Sequence, residues 1–214
     1  MKERIALFDF CDTLVSGQTV SMFFSYLQEQ ESLKNKIKFK LKRKFSKMCK
    51  KELTDKERFL FVYEGYEKAY FLKKGKEFFQ KIILSSLKDN VLKVLQEHQQ
   101  RGHRIIIVSG GLDIYLNYFC EYFKIDDLIC TKLKFKDDSF SGYLEKPECL
   151  GREKVNQLML RLSLDNIDLV NSYAYSDHIS DLPIVNFVGN GYWVKMNGDI
   201  VKDESISKFN LFNV

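Results

Sequence analysis

The apolar run Ile5-Ala6-Leu7-Phe8, which ends abruptly at Asp9, decides the fold class. A short, wholly apolar run that stops at a charged residue is typical of a buried parallel strand. A second apolar run lies at 104–108 and ends at Ser109, and a third, weaker one lies at 172–176 and ends at Asp177. Ligands of open α/β sheets bind at the carboxyl ends of the strands. We therefore expect the polar residues after these runs to share one site.

Helical patterns separate the predicted strands. Apolar residues recur with a spacing near 3.6 at 89–101, 112–124 and 152–163, and Gly102 stands where a helix C-terminus needs a glycine. Residues 132–144 are predicted to form a hairpin with its turn near 136–139. Strands that alternate with helices predict an α/β fold with a doubly wound, Rossmann-like, mostly parallel sheet.

Residues 16–88 interrupt this alternation because they show helical patterns and no strand pattern. Thr54 and Glu57 have the spacing of a capping box, which predicts a helix from there to about Leu72. We interpret 16–88 as a helical cap inserted after the first strand. The predicted core is then made of 1–15 and 89–214.

The composition indicates a folded protein of 214 residues, with 45% hydrophobic residues, 14% aromatic residues and 2 prolines. Its five cysteines form no C-x-x-C pair, which favours reduced thiols. The apolar runs are too short for a signal peptide or a membrane span. We therefore expect a cytoplasmic protein, and the oligomeric state stays open.

Four groups of residues have side chains suited to phosphate chemistry. A carboxylate such as Asp9 can attack phosphorus or bind Mg²⁺. Ser109, with backbone N–H groups of Gly110 and Gly111, can hold phosphate oxygens. Lys154 can neutralise developing charge. Asp177 can bind a metal, and Asp181 can orient waters or Lys154. Each group taken alone can also be an ordinary turn, cap or surface residue.

The order of these groups resembles the haloacid dehalogenase superfamily, in its phosphoserine-phosphatase-like branch. The matching motifs are F-D-F-x-x-T-L at 8–14, V-S-G-G at 108–111, G-x-x-K at 151–154 and Y-S-D-x-x-x-D-L-P at 175–183. That branch carries a helical cap between its first two motifs. The resemblance covers nearly the whole chain and is weakest in the cap.

The resemblance implies a role for each matching residue. It implies that Asp9 is the nucleophile and that Ser109 and Lys154 bind the phosphoryl oxygens. It implies that Mg²⁺ is held by Asp9, the backbone carbonyl of Cys11 and Asp177, with Asp181 supporting the metal site. The metal would screen the repulsion between an anionic nucleophile and an anionic substrate.

The sequence departs from the family at Cys11. The family usually reads D-x-D-G-T, and its second Asp protonates the leaving group and then activates water. General acid–base help of this kind is typically worth ~10²–10⁴ in rate. Three substitutes stay open: Asp12 reaches in from the next position, His178 acts as acid and base, or the substrates need little protonation.

Basic residues are concentrated in the predicted cap. Residues 34–58 hold twelve Lys/Arg and three Asp/Glu, a net +9, whereas the whole chain is +5. An apolar stripe at Leu33, Ile37, Leu41, Phe45 and Met48 runs through this segment. Three interpretations stay open for 34–51: a solvated cap face, attraction of an anionic substrate or other polyanion, and peripheral contact with an anionic membrane. Nucleic-acid binding is not expected, because no recognition module accompanies the charge.

We expect a Mg²⁺-dependent phosphatase that hydrolyses a phosphomonoester through an aspartyl-phosphate intermediate. The expected substrate is a small amino-alcohol or sugar phosphate, or a glycan-linked phosphate ester such as a precursor of a surface (capsular) polysaccharide. The alternatives are a catalytically weak protein that binds phosphate esters, a phosphotransferase and a lipid phosphate phosphatase.

Overall fold

The computed structural model describes residues 2–49, 53–145 and 147–202, without the side chains of 47–49. The strands of this part of the chain are β1 (Ile5–Phe8), β2 (Arg104–Leu112), β3 (Asp127–Thr131), β4 (Leu133–Lys136), β5 (Ser139–Leu144), β6 (Tyr173–Ser176), β7 (Asn190–Val194) and β8 (Ile200–Lys202). The α-helices are α1 (Thr19–Glu29), α2 (Leu33–Cys49), α3 (Asp55–Leu60), α4 (Lys68–Phe78), α5 (Asp89–Gln100), α6 (Asp113–Phe123), α7 (Arg152–Arg161) and α8 (Leu182–Val185).

The main sheet has the strand order β3-β2-β1-β6-β7-β8, in which all neighbours are parallel except the antiparallel pair β7–β8. Strand β1 lies in the middle, with Ala6 opposite Ile105 of β2 and Tyr173 of β6. Both neighbours of β1 are reached by crossover connections, which is the arrangement of a doubly wound fold. The predicted fold class is confirmed.

Successive residues of β1 point to opposite faces of the sheet, and both faces are covered. Ile5 and Leu7 join a cluster with Val155 and Leu158 of α7. Phe8 joins a larger cluster that includes α5, α6 and the helices between 19 and 83. Because both faces are buried, β1 is apolar throughout rather than alternating.

Helices predicted at 89–101, 112–124 and 152–163 correspond to α5, α6 and α7, and the predicted hairpin is β4–β5. Gly102 has a φ of +71°, which ends α5 as predicted. The strand predicted to end at Val108 instead continues to Leu112, with an irregular register between Ser109 and Leu112.

A single helix was predicted from Thr54 to about Leu72, and its predicted C-terminal end is wrong. The capping box of Thr54 and Glu57 is present, but α3 stops at Leu60 and α4 begins at Lys68. The chain turns between them because the hairpin pairs with it: the Gly65 N–H donates to the Phe140 carbonyl at 2.8 Å. This tertiary contact has no signature in the local sequence.

The described part of 16–88 contains helices and no strand, apart from isolated bridges at Glu67 and Leu87, and α4 packs closely on the start of α6. A Cβ atom on Gly75 of α4 would lie 2.0 Å from the carbonyl oxygen of Ile114. The division into a core and a cap at 15/16 and 88/89 stays a prediction. Among the described residues, no helix is both long and apolar enough to cross a membrane.

Candidate active site

The candidate active site is a cavity of about 800 Å³ at the carboxyl ends of β1, β2 and β6. Its lining includes Asp9 after β1, Ser109 and Gly110 of β2, Lys154 of α7, and Asp177 and Asp181 after β6. Residues more than 160 positions apart therefore meet at one edge of the sheet. The other side of the cavity comes from the 16–88 segment, through Val20, Phe24, Lys56 and Phe59.

Asp9, Lys154 and Asp181 form a buried ion triad. The Lys154 Nζ donates to Asp9 Oδ1 and to Asp181 Oδ2, both at 2.6 Å. The three residues are 7%, 3% and 4% exposed. Two carboxylates share one ammonium group out of contact with bulk water, so each charge depends on the other two.

The pKa values in the triad follow from burial and from these contacts. Burial raises the pKa of Asp9 to about 6, although Lys154 acts to lower it. For Lys154, burial disfavours the charged form, but the Asp9 and Asp181 carboxylates outweigh it and hold the pKa above its ordinary value. Lys154 is therefore charged across the physiological pH range, next to an Asp9 that is largely ionised at pH 7.

Local backbone geometry aims Lys154 inward. Gly151, with a φ of +51°, precedes α7 and takes a conformation that other residues adopt only with strain. The helix then starts at Arg152, and its third residue is Lys154. The G-x-x-K spacing thus turns the chain sharply and points the lysine at Asp9.

Asp177 is linked to Asp9 by Thr13. The Thr13 hydroxyl lies 3.0 Å from Asp177 Oδ1 and 3.4 Å from Asp9 Oδ2. Burial raises the pKa of Asp177 above its ordinary value. Two carboxylates with desolvated oxygens on either side of one hydroxyl favour a cation nearby, since a positive charge would offset the cost of their burial.

The residues at the C-terminal end of β2 are only partly arranged as predicted. Ser109 and Gly110 line the cavity, but the Gly111 N–H donates to Ser109 Oγ at 3.0 Å, and Gly111 is not part of the lining. Ser109 and Gly110 therefore belong to the site, whereas Gly111 lies outside the cavity lining. The irregular register of β2 accompanies this arrangement, because Gly110 and Gly111 are two extra residues of β2 between the pairs Ser109–Cys130 and Leu112–Thr131.

Asp12 is not brought into the cavity. Its backbone has a φ of +52°, and its carboxylate accepts hydrogen bonds from the Gly17 N–H and the Gln18 amide, both at 2.7 Å. Lys88 holds the Asp12 carbonyl from the other side. The side chain closes the loop that follows the nucleophile motif, and this geometry does not support its predicted catalytic role.

The family model of the haloacid dehalogenase-like hydrolases matches residues 6–185, and this match decides the family of the chain. The chain is a haloacid dehalogenase-like hydrolase. The match spans most of the chain and includes all four sequence motifs. The predicted family and enzyme class are confirmed.

Two relatives of this haloacid dehalogenase-like hydrolase are phosphatases. It is 23% identical over 88% of its length to a phosphoserine phosphatase of Methanocaldococcus jannaschii, of which 83% is covered. It is 22% identical to a histidinol-phosphatase of Neisseria meningitidis serogroup C, with 94% of each chain covered. Its fold is similar to that of a Bordetella pertussis Tohama I protein of unknown function, with a TM-score of 0.73, 21% identity and 88% of each chain covered. The likeness to phosphoserine phosphatases supports the predicted phosphoserine-phosphatase-like branch.

Cys11 of this hydrolase lies in the cavity and belongs to a buried chain of hydrogen bonds. Its Sγ is 3.0 Å from Thr19 Oγ1, which is 3.0 Å from the Tyr115 hydroxyl. The Tyr115 oxygen in turn accepts the Leu112 N–H at 2.9 Å. Burial raises the pKa of the Cys11 thiol to about 11, with a further increase from Asp9. Cys11 is therefore a neutral thiol at physiological pH.

Sequence reasoning assigned no role to several residues that the structure brings to the site. Thr13 was part of a quoted motif, but its link between Asp9 and Asp177 depends on a residue 164 positions away. Lys56 lines the cavity, pairs with Glu148 at 2.9 Å and donates to the Gly110 carbonyl at 3.0 Å. Lys56 could not be recognised from the sequence, because it lies in a lysine-rich segment and nothing in its local sequence distinguishes it from the neighbouring lysines.

His178 lines the cavity wall. Its Nδ1 accepts the Ser180 N–H at 3.2 Å and lies 2.9 Å from the Ser180 hydroxyl. The side chain is exposed, and its ring is held by a short turn after β6. Of the residues considered as substitutes for the missing acid, His178 reaches the cavity and Asp12 does not.

Proposed function

We propose that this protein is a Mg²⁺-dependent phosphomonoester hydrolase that uses Asp9 as its nucleophile. The observation that carries the proposal is the buried triad of Asp9, Lys154 and Asp181, which opens into a cavity beside Ser109 and Asp177. An ionised carboxylate with a fixed ammonium group beside it suits attack on an anionic phosphate ester. The family match and the phosphatase relatives support the same reaction class.

The reaction has two steps at Asp9. In the first, a carboxylate oxygen attacks phosphorus, the bond to the leaving oxygen breaks, and that oxygen takes up a proton. In the second, water attacks the phosphorus of the aspartyl phosphate, which releases inorganic phosphate and restores Asp9. Lys154 and Ser109 are suited to holding the phosphoryl oxygens in both steps, since both face the cavity.

The donor set fits Mg²⁺. No group of three or more His, Cys, Asp or Glu side chains is arranged as a metal site in the described part of the chain. Mg²⁺ does not need one, because it commonly binds through one or two carboxylates and completes its shell with carbonyl, water and substrate oxygens. Asp9 and Asp177, joined through Thr13, provide two carboxylates, and the Cys11 carbonyl is the predicted third ligand. When bound, the metal would neutralise charge on the nucleophile and the phosphoryl group.

Asp181 is better suited to holding Lys154 than to binding metal. Its Oδ2 already accepts from the Lys154 ammonium at 2.6 Å and from the Ser176 hydroxyl at 2.7 Å. A metal at the same oxygen would bring two cations together. We therefore propose that Asp181 orients Lys154 and supports the metal site indirectly.

The proposed substrate is an amino-alcohol phosphate. Phosphoserine and histidinol phosphate, which give two relatives their names, both carry an amino group close to a primary phosphate ester. The cavity combines a charged floor with apolar side chains of Val20, Phe24 and Phe59, which suits a small organic group attached to phosphate. Sugar phosphates and glycan-linked phosphate esters are the other members of the class to be compared.

A phosphate-release assay with and without Mg²⁺ tests the proposal. The substrates are p-nitrophenyl phosphate, phosphoserine, histidinol phosphate and a panel of sugar phosphates. We expect Mg²⁺-dependent turnover by the wild type and none by Asp9→Asn, together with a phosphorylated Asp9 detected by mass spectrometry after acid quench. Equal rates for the two proteins would overturn the role of Asp9. Binding of phosphate esters without any turnover of p-nitrophenyl phosphate would favour a binding protein, and new esters formed with added alcohols would favour a phosphotransferase.

A further inference from the structure

Helix α2 (Leu33–Cys49) has an inner face that packs on the protein. Phe39 is 7% exposed, and its ring lies 4.8 Å from that of Tyr63. Two basic residues also face inward: Lys42 lies over the ring of Phe61 at 5.0 Å and Arg43 over that of Phe59 at 5.1 Å. The helix is therefore attached to its neighbours along one side.

The opposite side of α2 exposes large apolar residues. Leu33, Ile37, Leu41 and Phe45 are 80%, 62%, 65% and 55% exposed. Their four-residue spacing rotates by only about 40° at each step, so they form one stripe across roughly 120° of the helix surface. This stripe and Phe39 point in nearly opposite directions. A continuous exposed apolar stripe usually marks an interaction surface.

Lysines flank the stripe. Lys34, Lys38, Lys40 and Lys44 are all exposed. Together with the stripe they form the outer face of α2. Residues 33–46 contain seven Lys/Arg and no Asp or Glu. The outer face is therefore both apolar and strongly cationic, and the side chains of 47–49, including Met48 of the predicted stripe, lie outside the described residues.

The chemistry of the outer face of α2 distinguishes between three possible binding partners: a second copy of the protein, a nucleic acid and an anionic bilayer. A second copy of the protein would bring two lysine clusters together, which like-charge repulsion opposes. A nucleic acid would pair with the lysines but leave four large apolar side chains against phosphates and water. An anionic bilayer satisfies both parts, because apolar side chains enter the boundary between headgroups and acyl chains while lysine ammonium groups remain at headgroup level.

We propose that the outer face of α2 docks on the surface of an anionic lipid bilayer. The helix lies along the surface with Leu33, Ile37, Leu41 and Phe45 turned toward the acyl chains. The lysines contact lipid phosphates, so the interaction requires anionic lipid and weakens with salt. This docking is independent of the reaction proposed for Asp9.

The docking face adjoins the candidate active site. A groove of about 520 Å³ between α1 and α2 is lined by Leu33, Ile37 and Lys40 among others. It shares Ser25, Gln28 and Phe59 with the lining of the active-site cavity. A bilayer at the outer face of α2 would therefore lie beside the cavity lining that the groove shares.

Co-sedimentation of the full chain with vesicles tests the docking. One set of vesicles contains phosphatidylcholine alone and the other contains phosphatidylcholine mixed with phosphatidylglycerol. We expect binding to the anionic vesicles only, and a loss of bound protein as NaCl is raised. Replacement of Leu33, Ile37, Leu41 and Phe45 together by Gln should weaken binding at least about tenfold, and so should replacement of Lys34, Lys38, Lys40 and Lys44 by Gln.

Matched variants separate docking from general effects. Leu160, Val170 and Met196 are exposed apolar residues outside α2, and Lys73, Lys76, Lys93 and Lys136 are exposed lysines outside it. Gln variants of either set should bind like the wild type, as should Asp9→Asn. Circular dichroism and thermal melting confirm folding of each variant. Failure of the wild type to bind anionic vesicles, or equal binding to both vesicle types, overturns the proposal. Unchanged binding by the four-residue apolar variant also overturns it, because attraction to any polyanion would then be sufficient.

Discussion

The residue that most distinguishes this site is Cys11. Cys11 lines the cavity together with Asp9, and its sulfur is held by Thr19, which in turn contacts Tyr115. A neutral thiol is a weak hydrogen-bond donor and a poor proton donor. The hydrolase therefore has the proposed nucleophile, a fixed ammonium group and two carboxylates proposed to bind metal, but no carboxylic acid at the position where its family usually has one.

We expect Cys11→Asp to restore acid–base catalysis. For an alkyl phosphate such as phosphoserine, turnover should rise by about 10² or more, because the leaving oxygen needs a proton. For p-nitrophenyl phosphate, whose leaving group needs little protonation, turnover should change much less. Cys11→Asn is the matched control, with the same size and no acid. If the Asp and Asn variants have equal rates on both substrates, proton donation at this position does not limit the reaction.

Lys154 balances two buried carboxylates, so its removal should affect stability as well as activity. We expect Lys154→Met to lower the free energy of unfolding by about 3 kcal/mol at pH 8, since Asp9 and Asp181 would lose their shared partner. Urea denaturation measures this change. In the Lys154→Met background, adding Asp181→Asn should recover part of the loss. A double variant that is less stable by the full sum of the two single changes would argue against coupling within the triad.

At the scale of elements, close contact between α4 and α6 attaches the helical segment to the sheet domain. Gly75 faces the backbone of Ile114, and an added methyl group would lie 2.0 Å from the Ile114 carbonyl oxygen. No side-chain rearrangement can relieve a clash with backbone. The glycine is therefore explained by packing, although it lies inside a helix where glycine is unfavourable.

Gly75→Ala should lower the free energy of unfolding by at least about 2 kcal/mol, because α4 must move away from α6. Helix propensity alone predicts the opposite, a gain of about 1 kcal/mol. Chemical denaturation separates the two expectations by sign. Lys76→Ala, an exposed substitution in the same helix, should be nearly neutral. A stabilised Gly75→Ala protein would show that the helices separate without difficulty.

At the scale of the whole molecule, buried histidines join a helix to two strands. His98 of α5 lies 2.8 Å from the Nδ1 of His103, which precedes β2, and 2.9 Å from the hydroxyl of Tyr175 in β6. Burial, with a contribution from His103, lowers the pKa of His98 to about 4. The native state therefore keeps His98 neutral over a pH range in which the unfolded chain binds a proton.

This difference makes stability depend on pH. An unfolded histidine has a pKa of about 6.5, so the stabilisation from neutral His98 is complete above that pH and is lost as the pH falls toward 4. We expect His98 to contribute a loss of between about 1 and 2 kcal/mol in the free energy of unfolding from pH 7.5 to pH 5. Asp9 and Asp113, whose pKa values burial raises to about 6, act in the opposite direction.

Because these contributions overlap, the measurement is the difference between variants. His98→Gln should show a smaller loss of stability than the wild type between pH 7.5 and pH 5. His178→Gln changes an exposed histidine and should keep the wild-type dependence. Identical pH dependence in all three proteins would exclude His98 as its source.

The sequence by itself determined three neighbouring strands of the main sheet, β1, β2 and β6, and the order of the four motifs, whereas β3, β7 and β8 were not predicted. Short apolar runs such as Ile5–Phe8 and the 3.6-residue spacing of α5, α6 and α7 are local patterns, so burial and helix formation leave a readable trace in them. Asp9, Ser109 and Asp177 could be found because parallel strands deliver their carboxyl ends to one edge, whereas Lys154 of helix α7 was found through its G-x-x-K motif. The site roles, the Mg²⁺ requirement and the cytoplasmic location stay predictions.

Tertiary structure alone decided which residues near each motif belong to the candidate active site. Asp12 and Cys11 are adjacent in sequence, yet the left-handed backbone at Asp12 turns its carboxylate to Gly17 and Gln18 while Cys11 faces the cavity. Thr13 and Lys56 acquire their contacts from residues far along the chain. The reason is physical: local sequence controls backbone conformation and burial, whereas side-chain partners depend on distant segments that meet only in the folded protein.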